Sequence, residues 1–511
     1  MDFRCGMHIL FFICFLTRLC FVGRYLDSCD SIDFALGLHD YDLSLLQPHF
    51  PGYPVYMVAS SLFFKLSHQD VWSLAMPGVL FGSITVYPLS LLTRQLFSER
   101  VAILTAVLYL INPLCWLQAE RPTSDAMGLF FVISAAYLLY CVFKLKVLLR
   151  APASKAAEKA DINLVTRCIS KRYGRLSDRN YLFLGSLFLG FGLGVRLSYF
   201  PFIAFWMGIL LYLAIQKMRF FKDVILYGMM GFVIGVCVWF LPQISYVGRH
   251  PFWGNCLSFS RGHFTDWGGS VITFGGLGRV ACLVKSIWVY GLGGWWNDAS
   301  FLRLAASLIM IVTFLYSFKR YQFDRRGFFL GLYVIPYMLW VILGQNVANP
   351  RHIMPILPAV LMLIAYGLCK TYEEMNKGIS IILTVAFVVS MSVISFRLVL
   401  RYHNNVPAPI QLIQFIEKQF DCLSTKIYCG GEKRFFDYYA PQWDVRSIED
   451  VTGLGIDLKS SLYKPQNILI VRALRKIEEF EANNPPIITF EANPYTDDTK
   501  EGLLLYKWNG L

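Results

Sequence analysis

Between Asp27 and Pro54 the chain reads DSCDSIDFALGLHDYDLSLLQPHFPGYP, gathering five carboxylates (Asp27, Asp30, Asp33, Asp40, Asp42) and two histidines (His39, His49). Side chains of these types, this close together, take up protons, bind cations or stabilise a cationic transition state. Asp27, Asp30 and Asp33 are spaced to share one face of a helix, where their mutual repulsion calls for cations, a metal or protonation. Asp40-Tyr41-Asp42 has the spacing of a divalent-metal DxD, a short and common pattern, so a divalent metal is a candidate cofactor. A segment this acidic is poorly suited to lipid and belongs at its edge, in water or a protein-lined pocket. The turn signal Pro51-Gly52-Tyr53-Pro54 closes it.

Cations that complement these acids recur along the chain: Arg121 beside Glu120, Arg196, Arg249, Arg261 with His263, Arg279, Lys285, and Arg351 with His352. Salt bridges to lipid headgroups or to the aspartates account for some of them. Others suit an anionic ligand, above all a phosphate, for which arginine offers a bidentate fork. Acids and bases opposed in this way fit a lipid-phosphate substrate attacked by an acceptor.

The elements that must position these groups are apolar. Of 511 residues 56% are hydrophobic and only 16% charged, and the mean hydropathy is +0.49, which excludes an ordinary soluble enzyme and indicates a polytopic α-helical membrane protein. Runs at 7–23, 71–92, 101–117, 126–143, 181–195, 199–215, 224–241, 300–317, 327–343, 353–369 and 379–397 predict about eleven spans. Interfacial helices are expected within 31–66 and 278–291. The net charge of +13 sits in tufts at 94–100, 144–180, 217–222, 319–326 and 370–377. Alternating spans place every tuft on one side with the N-terminus, as the positive-inside rule requires, which speaks against a nucleic-acid partner. The opposite side collects the acidic stretch, the 118–125 link QAERPTSD, the 242–298 loop, the Arg351 hairpin and everything after 400.

The first apolar run lacks a small-x-small cleavage site and reads as an uncleaved helix. GFGLG at 190–194 is the nearest approach to a broken span, and it is single, whereas transporters pair such breaks. Of thirteen cysteines, Cys5, Cys14, Cys20, Cys141, Cys237 and Cys369 read as small buried hydrophobes. Cys422 and Cys429 are the pair that could form a disulfide in an oxidising compartment. From about 400 the strand-like runs TKIYC, NILIVRA and PPIITFE alternate with QLIQFIEKQF and ALRKIEEFEA. The chain thus divides into a membrane domain, 1–399, and a small accessory α/β domain, 400–511.

An aspartate after the first span, interfacial helices, an acidic residue in the second external loop and NPRHIMPILPAV together resemble the GT-C glycosyltransferases. These polyprenyl-phosphate-sugar enzymes include the protein O-mannosyltransferases and the aminoarabinose transferase of lipid A. CDSIDFALGLHDYDLSLLQPHFPGYPVY is similar to a WDS-x-x-FALAL…FDL…HQPHPPGYPLY segment of bacterial members. The likeness covers residues 1–400 in architecture, is specific in 29–56, and is weaker in 112–125 and 349–358. Cys29 stands where those members have tryptophan, and Asp30-Ser31 where the better-known members have an acidic pair. The resemblance implies a bacterial inner-membrane enzyme with its active site and C-terminus extracytoplasmic. It implies inverting transfer of a hexosyl or pentosyl group from a polyprenyl-phosphate-linked donor to a lipid, protein or glycan acceptor. Asp30 is then the general base, and Glu120 orients the acceptor. Arg261, His263 and Arg351 are candidates to hold the donor phosphate, with Arg121 and His352 among the substrate-binding cations. Gln47, His49 and Tyr53 would line the sugar pocket, with Asp33 and Asp42 beside them. The competing reading is a transporter or flippase of a lipid-linked or anionic solute.

Overall fold

The structure is a computed structural model that describes residues 2–148, 178–216, 221–298, 300–320, 325–374, 376–447, 457, 465–471, 485–496 and 502–508. Its membrane part consists of α1 (Phe3–Cys20), α2 (Cys29–His39), α3 (Pro54–Ser67), α4 (Asp70–Ile84), α5 (Val86–Leu96), α6 (Glu99–Leu110), α7 (Pro113–Glu120), α8 (Asp125–Leu148) and α9 (Asp178–Val195). It continues with α10 (Phe202–Gln216), α11 (Phe221–Val247), α12 (Arg249–Thr265), α13 (Gly276–Lys285), α14 (Phe301–Arg320), α15 (Arg325–Gly344), α16 (Leu357–Glu374) and α17 (Lys377–Asn404).

Among the described residues nine segments are long and apolar enough to cross a membrane, or ten if α6 and α7, bent by 56°, form one broken span. The sequence predicts about eleven, and the run left over is α9. Its first turn, Asp178-Arg179-Asn180, and four glycines dilute the apolar content. By position it still runs from end to end. Arg179 pairs with Asp223 in the first turn of α11 at 3.1 Å, and Arg196, just past the far end, meets Asp125 at 3.2 Å.

GFGLG does not break α9. A Cβ at Gly190 would lie 2.8 Å from the Phe232 carbonyl, and one at Gly235 would lie 2.5 Å from the Leu187 carbonyl. The glycines let the α9 and α11 backbones touch, a seam that membrane helices form from small residues.

Charge separates the two ends of the bundle. Arg94 covers the Phe3 ring and pairs with Glu99, Lys144 reaches Gln95, and Arg326 donates to the Leu96 carbonyl, so the N-terminus and the described basic tufts share one end. Residues 149–177, most of the basic 144–180 loop, and 217–220 lie outside the described residues. At the other end Asp27 meets Arg121, Asp30 meets Arg351, and Arg303 meets Tyr495 of the C-terminal domain. The acidic stretch, the 118–125 link and the Arg351 hairpin therefore come together, as the alternation predicts.

The stretches expected to be interfacial form the short helices α2, α3 and α13. α3 exposes Val58, Leu62 and Leu66, one turn apart, and α13 exposes Leu277, Val280 and Val284. Arg279 turns inward from α13 and donates to the carbonyls of Val341, Ile342 and Gln345, satisfying the open end of α15.

Beyond α17 the chain forms α18 (Ala408–Gln419), β1 (Thr425–Cys429), α19 (Lys433–Tyr439), β2 (Asp444–Ser447), β3 (Asn467–Val471), β4 (Ile488–Phe490) and β5 (Leu503–Trp508). The sheet order is β2-β1-β3-β5-β4, with β1 parallel to β2 and β3, and β5 antiparallel to β3 and β4. TKIYC, NILIVRA and PPIITFE contain β1, β3 and β4, and QLIQFIEKQF lies in α18, whereas ALRKIEEFEA lies outside the described residues. The cysteine reading needs correcting: Cys422 and Cys429 are both free, Cys429 buried in β1 and Cys422 donating to the Gln442 carbonyl. Cys5 and Cys20 are exposed, while Cys14 is buried.

This domain does not hang loose from the bundle. Leu26, Ile32, Phe34 and Tyr56 share one apolar core with Ile413, Phe436, Leu469 and Leu505, and each such side chain stabilises the joint by about 1.5–3 kcal/mol. A polar clamp reinforces it. Arg121 grips Asp27 through Nε at 2.7 Å and Nη2 at 3.0 Å, both residues are 2% exposed, and Nη2 also donates to the Thr496 carbonyl at 2.7 Å. Removing the arginine strands a buried carboxylate, so Arg121→Ala should destabilise the protein by about 3–5 kcal/mol. The thermal midpoint of the detergent-purified protein measures this, and Arg121→Ala with Asp27→Ala should recover part of the loss. An unchanged midpoint in the single variant contradicts the clamp.

Candidate active site

The start of α2 is fixed by a capping box. Ser28 accepts from the Ser31 amide while the Ser31 hydroxyl accepts from the Ser28 amide. Asp27 therefore falls before the helix, and Asp30 and Asp33 lie in its first turns. The three carboxylates do not share one helical face, and each meets an arginine from a different part of the chain: Asp27 from Arg121, Asp30 from Arg351 at 2.7 Å, and Asp33 from Arg434 at 3.0 Å. Cations thus offset the repulsion. Among the described residues no three His, Cys, Asp or Glu side chains are placed to hold a metal ion.

Asp40-Tyr41-Asp42 serves local structure. Asp42 caps the 3-10 turn Leu43–Leu45 by accepting from the Ser44 amide at 2.7 Å, and its backbone pairs with that of Gln47. Asp40 is exposed. Tyr41 donates to the Gly52 carbonyl at 2.9 Å, and Gln243 of α11 donates to the Pro51 carbonyl. Gly52 has φ +86°, and a Cβ there would lie 2.1 Å from the Tyr41 hydroxyl, so only glycine fits this turn. Tyr53 follows in the left-handed region at φ 47°, a conformation that a non-glycine residue keeps only where its surroundings impose it.

The turn aims Tyr53 at His49, whose Nε2 lies 2.9 Å from the Tyr53 hydroxyl while Nδ1 lies 3.0 Å from Asp33 Oδ2. The imidazole stacks on Phe259 of α12 with centroids 5.5 Å apart. Fully buried Phe34 lies beneath, edge-on to Tyr53 and Tyr56. Burial pushes the Asp30 carboxyl up, but Arg351, His49 and Arg196 together outweigh it and hold the group well below the usual carboxylate range. Asp33 moves the other way: burial raises it and the contributions of His49 and Arg434 compensate only in part. The Tyr53 hydroxyl is raised by burial and by Asp30, with Arg196 and Arg351 opposing.

Asp30, Asp33, His49, Tyr53 and Arg351 are therefore brought together, with His352 next to Arg351 on the 3-10 turn Pro350–Ile356. Gln47 is held by its backbone. Glu120 is fully buried, neither of its carboxylate oxygens has a hydrogen-bond partner among the described residues, and its polar neighbours include Arg18, Trp116 and Tyr402. Its cationic neighbour is Arg18 of α1. Arg121 is engaged by Asp27. Arg261 is exposed on α12 and forms no ion pair among the described residues. His263 donates to the Gly344 carbonyl at 2.6 Å, and burial pushes its pKa down.

Two participants escaped the sequence reading of this site. Asp125, five residues beyond Glu120 in the same link, lies with Ser124 against buried Arg196 and within electrostatic reach of Tyr53. Arg434 comes from α19 of the C-terminal domain and also donates to the carbonyls of Leu45 and Leu46. Only the second acid in QAERPTSD signalled Asp125, and nothing in the local sequence signalled Arg434. The arrangement presents an ionised carboxylate, two buried guanidiniums and a carboxylate-backed imidazole, a set suited to proton removal beside an anion.

Residues 49–149 match the family model of dolichyl-phosphate-mannose-protein mannosyltransferase. No curated protein matches the sequence. Among solved structures the chain is similar to ArnT from Cupriavidus metallidurans in the apo state, with a TM-score of 0.54 and 11% identity over 99% of this chain and 97% of that one. It is likewise similar to ArnT from Cupriavidus metallidurans bound to undecaprenyl phosphate, with a TM-score of 0.51 and 12% identity over the same shares.

Proposed function

We propose that this chain, whose fold is that of the GT-C glycosyltransferases and whose residues 49–149 match a mannosyltransferase family, transfers a sugar from a polyprenyl-phosphate carrier to an acceptor with inversion. The observation that carries the reading is the ionised Asp30 held 2.7 Å from Arg351 beside Arg196, at the end of the bundle away from the basic tufts. The acceptor hydroxyl or amine attacks the anomeric carbon and gives its proton to Asp30, while the bond from that carbon to the phosphate oxygen breaks and its electron pair leaves with the phosphate. The oxocarbenium-like transition state is stabilised by the nearby carboxylate, and Arg351 and Arg196 receive the charge growing on the leaving group. A single displacement inverts the anomeric centre. The ArnT structure bound to undecaprenyl phosphate supports a lipid-phosphate donor. His49, Tyr53 and Gln47 border the sugar, and the acceptor is a lipid, protein or glycan.

A transporter would pair broken helices in its two halves. α9 is continuous, and among the described residues α6 and α7 are the single bent pair. The positive-inside pattern supports a bacterial plasma-membrane protein with the Asp30 end and the C-terminal domain outside. Impermeant maleimide tests this in a variant stripped of native cysteines. Leu423→Cys, on the exposed surface of the C-terminal domain, should react in intact cells, and Lys377→Cys, at the basic end, should react only after lysis. The reverse pattern overturns the assignment.

A further inference from the structure

We infer that the protein holds an acidic phospholipid in a second site, a cavity set apart from Asp30 by α2, where the lipid headgroup bridges the membrane bundle and the C-terminal domain. The inference goes beyond the glycosyltransferase reading and uses only the placement of the bundle in a membrane.

The cavity has a volume of about 620 Å³, within the range of small-molecule sites. Its walls come from distant parts of the chain: Arg24 after α1, His39 at the end of α2, Asp70 and Trp72 at the start of α4, and Tyr438 of α19. His68, just past α3, and His403, near the end of α17, complete it. The lining includes neither Asp30 nor Arg351. His39 and Asp30 fall on opposite faces of α2, about 13 Å apart along its axis.

Charge selects the ligand. Asp70 is already engaged, with His39 Nε2 3.0 Å from Oδ1 and the Tyr438 hydroxyl donating to Oδ2 at 2.5 Å, so it does little to repel an anion. Arg24 is exposed and forms no ion pair among the described residues, which leaves its guanidinium fork to a phosphate. His403 adds a buried Nδ1 without a hydrogen-bond partner among the described residues, an atom whose burial is costly until a partner such as a headgroup hydroxyl arrives.

The surroundings select a lipid over a free phosphate. α4 packs against both α1 and α3, and each of these exposes an apolar stripe: Phe12, Ile13 and Leu16 on α1, and Val58, Leu62 and Leu66 on α3. The chain leaves the first stripe toward Arg24 and the second toward His68, both in the cavity wall. Acyl chains along the stripes therefore bring a phosphate to Arg24. Trp72, edge-on to Phe63, is of a residue type that gathers at headgroup level. Tyr438 supplies the bridge, since it belongs to the C-terminal domain and lies one turn along α19 from Arg434, the partner of Asp33.

The test places the full-length protein in phosphatidylcholine nanodiscs containing a small share of phosphatidylglycerol with a photoreactive diazirine beside its ester, and maps the crosslinked peptides by mass spectrometry. Label should concentrate on peptides holding Val22–Arg24 and His68–Trp72, and unlabelled phosphatidylglycerol should displace it. Arg24→Gln should lower that label by about fivefold, the worth of one arginine at an anionic lipid surface, and Arg24→Lys should keep most of it. Arg24 is exposed, so the variant should fold, and label on other lipid-facing helices should stay unchanged as the internal control. Label spread evenly over those helices, equal label from a phosphatidylcholine probe, or no change in Arg24→Gln overturns the site. Displacement by soluble glycerol phosphate overturns the lipid assignment in favour of a free anion. Crosslinking does not depend on sugar transfer, so a negative result leaves the glycosyltransferase reading standing, and a failure of that reading leaves this site standing.

Discussion

Asp30→Asn should abolish sugar transfer, lowering kcat by about 1,000-fold, within the range expected when a general base is lost. Asparagine keeps the shape of the side chain and an oxygen for Arg351, but it supplies neither the base nor the negative charge beside the oxocarbenium-like carbon. The protein should still fold, because α2 is started by the Ser28 and Ser31 capping box and seated by buried Phe34, neither of which involves Asp30. The pH behaviour follows from the same ion pair. Burial raises the Asp30 carboxyl and the surrounding cations more than reverse that, leaving it depressed in the folded protein. A depressed carboxylate contributes stability that is fully present above its unfolded value of about 3.9 and is lost only as pH falls through the lower folded value. Activity should therefore show no acid limb from Asp30 between about pH 4 and 8.

Arg351→Ala should cost the donor more than it costs the fold. The guanidinium sits 2.7 Å from Asp30 and is 7% exposed. Losing one partner of such a buried contact to a phosphate corresponds to about 2–5 kcal/mol, or a loss of affinity of about 30-fold or more. Undecaprenyl phosphate titrated into the nanodisc-held protein measures it directly. Asp30→Asn should bind this lipid at least as tightly as wild type, because the carboxylate that competes with the phosphate for Arg351 is gone. The same competition has a catalytic use: a phosphate that engages Arg351 releases Asp30 from its strongest partner and makes it a better base. Arg351→Ala should accordingly raise the Asp30 pKa and bring an acid limb into the measurable range. Equal lipid affinity in the two variants contradicts a phosphate role for Arg351.

Local pattern made some of this legible and distance hid the rest. The acidic stretch, the described parts of the basic tufts and the strands β1 in TKIYC and β3 in NILIVRA are contiguous runs, and each appears where periodicity and charge put it. Asp40-Tyr41-Asp42 read as a metal pattern because its spacing matches one. Its actual work, capping the turn at Leu43, depends on a backbone that the spacing does not specify. Glu120 and Asp125 are two acids in one short link, and only the end of α7 and the start of α8 decide that the first turns toward Arg18 and the second toward Arg196. Arg261 and Arg351 look alike as external arginines, but α12 leaves the first exposed and the 3-10 turn after α15 buries the second. GFGLG looked like a weak point because glycine lowers the stability of a lone helix. Its partner backbone, α11, supplies what the run lacks. Arg434 lies about 400 residues from Asp33 in sequence, so no local motif could join them, and the domain that carries it forms part of the site's framework.

The most direct test compares cell-envelope glycans by mass spectrometry in cells producing wild type and Asp30→Asn at equal levels. Loss of one sugar-bearing species in the variant, restored by wild type, is the result predicted. Identical glycan profiles in the two strains, with both proteins present in the membrane, contradict sugar transfer at Asp30.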